Sequence, residues 1–252
     1  MTLFDIYIVV ILMVMFWEYK RPKTSLNRIQ HVYFANILTY ILGSFLFYGL
    51  NYIVSIEAIF SSQIITLTLP NGLKNGLMLI MQFLLIDLIY YTKHRLDHYF
   101  KPLWRLHLVH HSDLQVDVST SFRHHPVEVI SHYIIVMCVA WLCGVPNSLL
   151  VLYAFISSLV QPLHHANLAI PERLLDYLSF IVITPATHKV HHSSDKTFTN
   201  SNYGNLFPFW DRIFRTYQTA PELADFGLTY FRDKKEGNFS SLLTQPFRYS
   251  KK

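Results

Sequence analysis

The stretch HLVHHSDLQ begins at His107, and much later the chain writes nearly the same thing again in HKVHHSSDK, beginning at His188. Spacing of i, i+3 and i+4 puts three imidazoles on one helical stripe, and no packing demand explains three neighbouring polar rings there. A third element, HRLDH, sets His94 and His98 one helical turn apart, where both can share a metal. The three clusters supply His94, His98, His107, His110, His111, His188, His191 and His192, eight of the chain's 14 histidines. Two pairs stay open: His124 and His125 in RHHPVE, and His164 and His165 in PLHHAN. In each pair one residue could complete a metal site while the other packs or faces water, and spacing does not say which.

Eight to ten histidines are too many for one ion but give four or five to each of two. Imidazole suits Zn, Cu, Fe and Ni, so ligand type alone leaves the metal open. Neutral imidazoles also leave the ions' charge uncompensated, which calls for carboxylates close behind them. Asp87 is the first candidate, because an ionisable side chain inside an apolar run is a functional hypothesis by default and its offset places it on one helix face with Tyr91, His94 and His98. Asp97, Asp113, Glu128, Asn167 and Asp195 lie within a few residues of histidines and could serve likewise, or act as ordinary caps and exposed residues.

What must position these groups follows from composition. At 252 residues, 52% hydrophobic and 15% charged, the chain is too apolar for an ordinary soluble domain. Residues 2–17, 32–55, 76–92, 127–143 and 148–163 form long apolar runs near the length of a bilayer crossing. The first reads as a retained anchor rather than a signal peptide. Of the 21 Lys and Arg residues, all but Lys74 fall on one side of an alternating topology, which places the N-terminus outside and both His-x-x-His-His segments in the cytoplasm. This bias, with anionic lipid, accounts for the net charge of +5 without nucleic acid. Cys138 and Cys143 read as core residues, residues 171–183 as an interfacial helix, and the tail from Asn200 as a folded cap. The expected fold is all-α: an integral membrane bundle of about four to five transmembrane helices with a cytoplasmic histidine-rich cap. Residues 1–75 would be anchor helices, 76–218 the catalytic domain and 219–252 a cytoplasmic tail, and the layout fits a bacterial inner membrane.

HRLDH, HLVHH and HKVHH resemble the HxxxH, HxxHH and HxxHH boxes of the fatty acid hydroxylase and sterol desaturase superfamily, membrane oxygenases with a non-haem di-iron centre. RHHPVE resembles that family's Arg-x-His-Pro segment, HHAN its His-Ser/Ala-Asn segment, and NYGNLFPFWDRIFRTY its closing Asn-Tyr-Gly and Trp-Asp stretch, so the likeness spans roughly residues 80–218. The resemblance implies the eight histidines above as metal ligands, with His165 as the additional ligand and His125, before Pro126, as a tenth. Gln161 stands where some of these hydroxylases carry a further histidine. The resemblance further implies two irons (zinc being an alternative in purified protein), a lipid substrate, O2, and a separate electron donor of the cytochrome b5 or ferredoxin type. Hydroxylation and desaturation are both open, as is the lipid: fatty acyl chain, sterol, sphingolipid base or ether lipid. Tyr90, Tyr91, Trp104 and Phe122 could line the mouth of its cavity. Two rival classes are a divalent metal transporter, whose site would lie nearer the bilayer midplane, and a zinc-dependent membrane hydrolase, which needs fewer histidines and a carboxylate base.

Overall fold

Each of the five apolar runs folds as a helix in the computed structural model of the chain, which describes residues 2–25, 30–54, 73–219 and 225–249. The linker between the second and third runs lies largely outside the described residues, as does the side chain of Lys74. Helix α1 (Leu3–Lys20) opens with a capping box in which Thr2 and Asp5 exchange hydrogen bonds. It is followed by α2 (Gln30–Val54), α3 (Leu73–Tyr99) and the short α4 (Lys101–His111), which has Pro102 in its first turn. A 3-10 turn (Val118–Phe122) leads to α5 (Pro126–Leu142) and α6 (Asn147–His165). The C-terminal third holds the short helices α7 (Glu172–Leu178), α8 (Pro185–His191), α9 (Lys196–Thr199) and α10 (Phe209–Ile213), and then α11 (Phe239–Arg248). No strand occurs among the described residues, only isolated bridges such as Pro22 with Leu168.

Two of the five runs, α2 and α3, are long and apolar enough to cross a membrane, where four to five were expected. The others fall short for visible reasons: α1 carries Asp5, Glu18 and Lys20, α5 is only 17 residues long, and α6 is interrupted by Ser157, Ser158 and Gln161. α1 and α2 nonetheless present Phe4, Leu12, Phe16, Phe45, Tyr52 and Ile53 outward, an apolar exterior suited to lipid. The expected interfacial helix over 171–183 is shorter than predicted: α7 starts after Pro171 and ends at Leu178.

Helices α2 and α5 cross closely. A Cβ on Gly43 would stand 2.8 Å from Val129 Cβ and 3.1 Å from Pro126 Cα, so glycine sets this contact. The apolar core between α3, α5 and α6 is built from Ile86, Ile89, Val136, Ala140, Leu149 and Tyr153. Below it the chain is tied by polar groups. Glu18, fully buried, accepts from Val118 N (3.2 Å) and Asn167 N (2.6 Å), holding the 3-10 turn and the end of α6 to α1. Arg123, 1% exposed, donates to Val109 O, Ser112 Oγ and Asn36 Oδ1, locking α4 against α2. The C-terminal α11 packs on α2 and α4, where Gln245 accepts from Ser112 Oγ at 2.9 Å.

Candidate metal centre

Three helical segments converge under the core. The end of α3 brings His94 and His98; α4 brings His107, His110 and His111; α8, begun by a Thr184–Thr187 capping box with Pro185 at its first position, brings His188 and His191, with His192 as its C-cap. His165 closes α6. The rings gather into two groups: His94, His98, His107, His111 and His191 in one, and His110, His165, His188 and His192 in the other. Both His-x-x-His-His segments are split between the groups, because residues i+3 and i+4 flank the stripe on either side.

Nitrogens bound about 2.0–2.2 Å from a shared ion stand roughly 3.0–3.5 Å apart. His107 Nε2 lies 3.2 Å from both His94 Nε2 and His111 Nε2. In the second group His165 Nε2 lies 3.2 Å from His110 Nε2 and 3.0 Å from His188 Nε2. Acceptors behind the rings fix the tautomers. His94 Nδ1 donates to Tyr203 O (2.9 Å), His191 Nδ1 to Ser201 O (2.7 Å), His165 Nδ1 to Gln161 O (2.9 Å) and His107 Nδ1 to Glu128 Oε1 (2.7 Å). A carbonyl or carboxylate oxygen only accepts, so each Nδ1 carries the proton and each Nε2 turns a bare lone pair inward. His98 Nε2, His191 Nε2 and both ring nitrogens of His192 are buried with no hydrogen-bond partner among the described residues. Orphaned buried nitrogens are costly unless a ligand pairs them, and a metal ion fits. Burial, and then the neighbouring imidazoles, hold His110, His111, His188 and His192 well below the usual histidine range, and bring His191 down to about 3. All five are neutral at pH 7, the state a ligand needs.

His125 does not join either group. As N-cap of α5 it turns Nδ1 toward Val127 N and Nε2 toward Leu243 O, which uses both ring nitrogens elsewhere. Its neighbour His124 stacks on His110 at 4.6 Å. Asp87 contacts no histidine: it accepts from Tyr153 OH, Leu206 N (3.0 Å) and Trp210 Nε1 (2.9 Å). It therefore pins the 203–210 segment, whose Tyr203 carbonyl orients His94. Asp211 helps from the other side, accepting from Tyr203 N and Gly204 N at 2.8 Å each. A Cβ at position 204 would meet Asp211 Oδ2 at 2.9 Å, so that turn requires glycine. Gln161 donates to Ser157 Oγ and Asn205 Oδ1 and does not reach the ring nitrogens with its side chain. Of the other candidate carboxylates, Asp113 serves Asn36 and Thr120, and Asp195 caps α9.

Glu128 is the carboxylate that reaches the histidines, and nothing in its local sequence marks it out from the other four candidates. It accepts from His107 at 2.7 Å, faces His124 Nδ1 at 3.2 Å, and keeps Oε2 buried and unpartnered among the described residues. Replacing Glu128 with Gln removes the negative charge behind His107 while keeping the shape. Metal affinity measured by chelator competition is expected to fall about 10- to 100-fold with the melting temperature nearly unchanged; unaltered affinity would show that Glu128 only packs.

A cavity opens on the inner side of both groups, lined by His94, His107, His110, His165 and His188 and extending between α2, α3, α5 and α6. Of the four aromatics expected at its mouth only Tyr90 lines it. Tyr91 turns away to stack on Phe214, Trp104 packs beside His98 and His111, and Phe122 packs on Tyr40.

A model of the family described as fatty acid hydroxylase matches residues 79–216. Among curated proteins, the alkylglycerol monooxygenase of Danio rerio is 31% identical over 150 residues, covering 60% of this chain and 32% of the relative. The human alkylglycerol monooxygenase is 29% identical over 148 residues, covering 59% and 32%. The ornithine lipid hydroxylase OlsE of Rhizobium tropici is 30% identical over 159 residues, covering 62% and 46%. The matched stretch thus spans from about a third to under half the length of these relatives. No solved structure matches.

Proposed function

Since the chain belongs to the fatty acid hydroxylase family, we propose that it is a membrane-bound non-haem di-iron oxygenase that places oxygen on, or desaturates, a C–H bond of a lipid. The observation that carries this reading is the pair of histidine groups with inward-facing nitrogens 3.0–3.2 Å apart at one end of a cavity between apolar helices. The relatives' names, alkylglycerol monooxygenase and ornithine lipid hydroxylase, agree with oxygen chemistry on lipids.

One iron would be held by His94, His98, His107, His111 and His191, and the other by His110, His165, His188 and His192. Bound iron would supply the reduction of O2 and the removal of hydrogen from an unactivated carbon. The overall hydroxylation consumes one O2, two electrons and two protons, and yields the alcohol and one water. The electrons come from a separate donor protein of the cytochrome b5 or ferredoxin type. The chain's own residues do the positioning: Glu128 and the Ser201 and Tyr203 carbonyls hold the imidazoles in one tautomer, and α2, α3, α5 and α6 enclose the substrate away from water. In the membrane, α2 and α3 would cross and the basic segments, with the histidine groups, would face the cytoplasm.

Elemental analysis of detergent-purified protein, paired with lipid analysis of cells with and without the chain, tests this. About two irons per chain and an oxidised or desaturated lipid that depends on the protein are expected. Zinc alone at one per chain, with no lipid changed, would return a hydrolase to the front.

A further inference from the structure

We propose that electrons reach the metal centre through a second, outward-facing pocket floored by the ring of His98, and that the basic rim of this pocket docks an acidic electron-transfer protein. This rests on the oxygenase reading above and specifies where its donor binds.

The two pockets meet the histidines from opposite sides. The inner cavity is lined by five of the grouped histidines but not by His98. The outer pocket is lined by Tyr91, Thr92, Arg95, Asn200 and Thr216 and, alone among the grouped histidines, by His98. His98 Nδ1 points to the exposed Asn200, 3.3 Å from its Oδ1, while Nε2 is buried with no hydrogen-bond partner among the described residues. One imidazole thus spans the wall between surface and metal group, and an electron delivered to that ring would be one coordinate bond from an iron. Each transfer oxidises one donor and turns one ferric ion ferrous. Two transfers reduce the pair, and no bond at His98 forms or breaks.

The pocket lies mostly beyond Thr92, where the apolar run of α3 ends, and its opposite side is Asn200, which donates to Lys196 O at 3.4 Å, so it faces water rather than lipid. Leu96, Tyr99 and Phe214 give it an exposed apolar mouth. Arg95, Lys101, Lys196 and Arg215 are exposed around it: Arg95 lines the pocket, Lys101 follows Tyr99 and Phe100, and Arg215 stands between Phe214 and Thr216. Nearby acids do not cancel this charge. Asp97 is buried and paired with Lys93 at 2.7 Å, and Asp225 is held by Arg232 at 2.7 Å. Asp211, which offsets Arg95 in part, is fully buried and accepts from Tyr203 N, Gly204 N and Thr216 Oγ1. Asp195, the N-cap of α9, is exposed and removes one charge of the four. Bound ions would add positive charge behind the rim, where Glu128 is the carboxylate that faces the histidines. An apolar mouth ringed by charge of one sign suits a small, electrostatically steered redox complex, and the complementary partner is acidic.

The test places the iron-loaded full chain in phosphatidylcholine nanodiscs with two acidic donors, a plant-type ferredoxin and the soluble domain of a cytochrome b5, and a basic cytochrome c as control. Binding is read by interferometry and reduction of the ferric centre by stopped flow, at low and high salt. The variant Lys101→Glu, Lys196→Glu reverses two rim charges in the first turns of α4 and α9, where glutamate is favoured, so folding is preserved. At least one acidic donor is expected to bind and reduce the parent, and both signals to fall at least about ten-fold in the variant at low salt, converging at high salt. Reduction by reduced lumiflavin, a small molecule that needs no docking surface, is expected to be unchanged. Binding of neither acidic donor, equal binding of cytochrome c, or a folded variant that binds like the parent overturns the proposal. A difference between parent and variant that appears only when the nanodisc contains phosphatidylglycerol assigns the rim to the membrane and overturns it too. The binding arm needs no iron, which separates the two layers. Charge-sensitive binding by a chain that takes up no iron refutes the oxygenase reading alone; lipid oxidation with charge-insensitive binding refutes the docking face alone.

Discussion

Replacing His110 and His191 together with alanine is expected to lower bound metal from about two ions per chain to less than about 0.2, and to reduce lipid oxidation at least about 1,000-fold, because the ions carry the chemistry. The two residues come from different groups. His110 sets its Nε2 3.2 Å from that of His165 and its ring 4.5 Å from that of His192. His191 sits with its ring 4.5 Å from those of His94 and His111. Each alanine removes one inward nitrogen and opens a void where a buried ring stood, so neither group retains its geometry. Either single change should already cost metal at both positions, since His110 and His111 share one helical turn and His191 and His192 another. Elemental analysis of the variants against the parent decides. Two ions retained in the double variant would mean that His110 and His191 are not metal ligands.

Asp87→Leu is expected to destabilise the protein by about 3 to 6 kcal/mol, because it orphans three buried donors at about 1 to 3 kcal/mol each. A loss of that size lowers the melting temperature by roughly 10 °C or more in a chain of this length. The donors are Tyr153 OH, Leu206 N and Trp210 Nε1, and Asp87 itself is fully buried. The damage also reaches the metal, since Leu206 and Trp210 belong to the segment whose Tyr203 carbonyl holds His94. Asp87→Asn keeps one oxygen acceptor but turns an amide N–H toward one donor, so its melting temperature should fall between those of the parent and the leucine variant. If the leucine variant melts like the parent and keeps its metal, the clamp assigned to Asp87 is wrong.

The histidine boxes were legible because a helix converts spacing into direction. All eight histidines that the spacing singles out fall into the two groups, with His165 alongside them. The choice within each histidine pair was not legible, because it depends on cap geometry. Pro126 makes the preceding His125 an N-cap whose ring folds back on Val127, while His124 is left to face Glu128 and His110. Asp87 is visible in the sequence as an anomaly inside an apolar helix, but not its partners: it shares a helix face with His94 yet stands far enough along α3 that a different loop, over 203–210, covers it. Glu128 reaches His107 only through the packing of α5 on α4, a contact distant in sequence that leaves no local pattern. All five apolar runs are helices, while only α2 and α3 are long and apolar enough to cross a membrane; a charge, a shorter length or a serine pair sets the others apart.

The interleaving of the two His-x-x-His-His segments would give bound ions a second role, that of staples. Cys138 and Cys143, the chain's two cysteines, are free thiols, so no disulfide braces the fold. Two ions held by residues from 94 to 192 would close loops of the length that cross-links restrain best. Since α4 and α8 each contribute histidines to both groups, neither staple could be set without positioning the side chains for the other, and the lower half of the protein would lock or open as one unit. Iron supply would then govern the lifetime of the folded chain in the cell as well as its turnover.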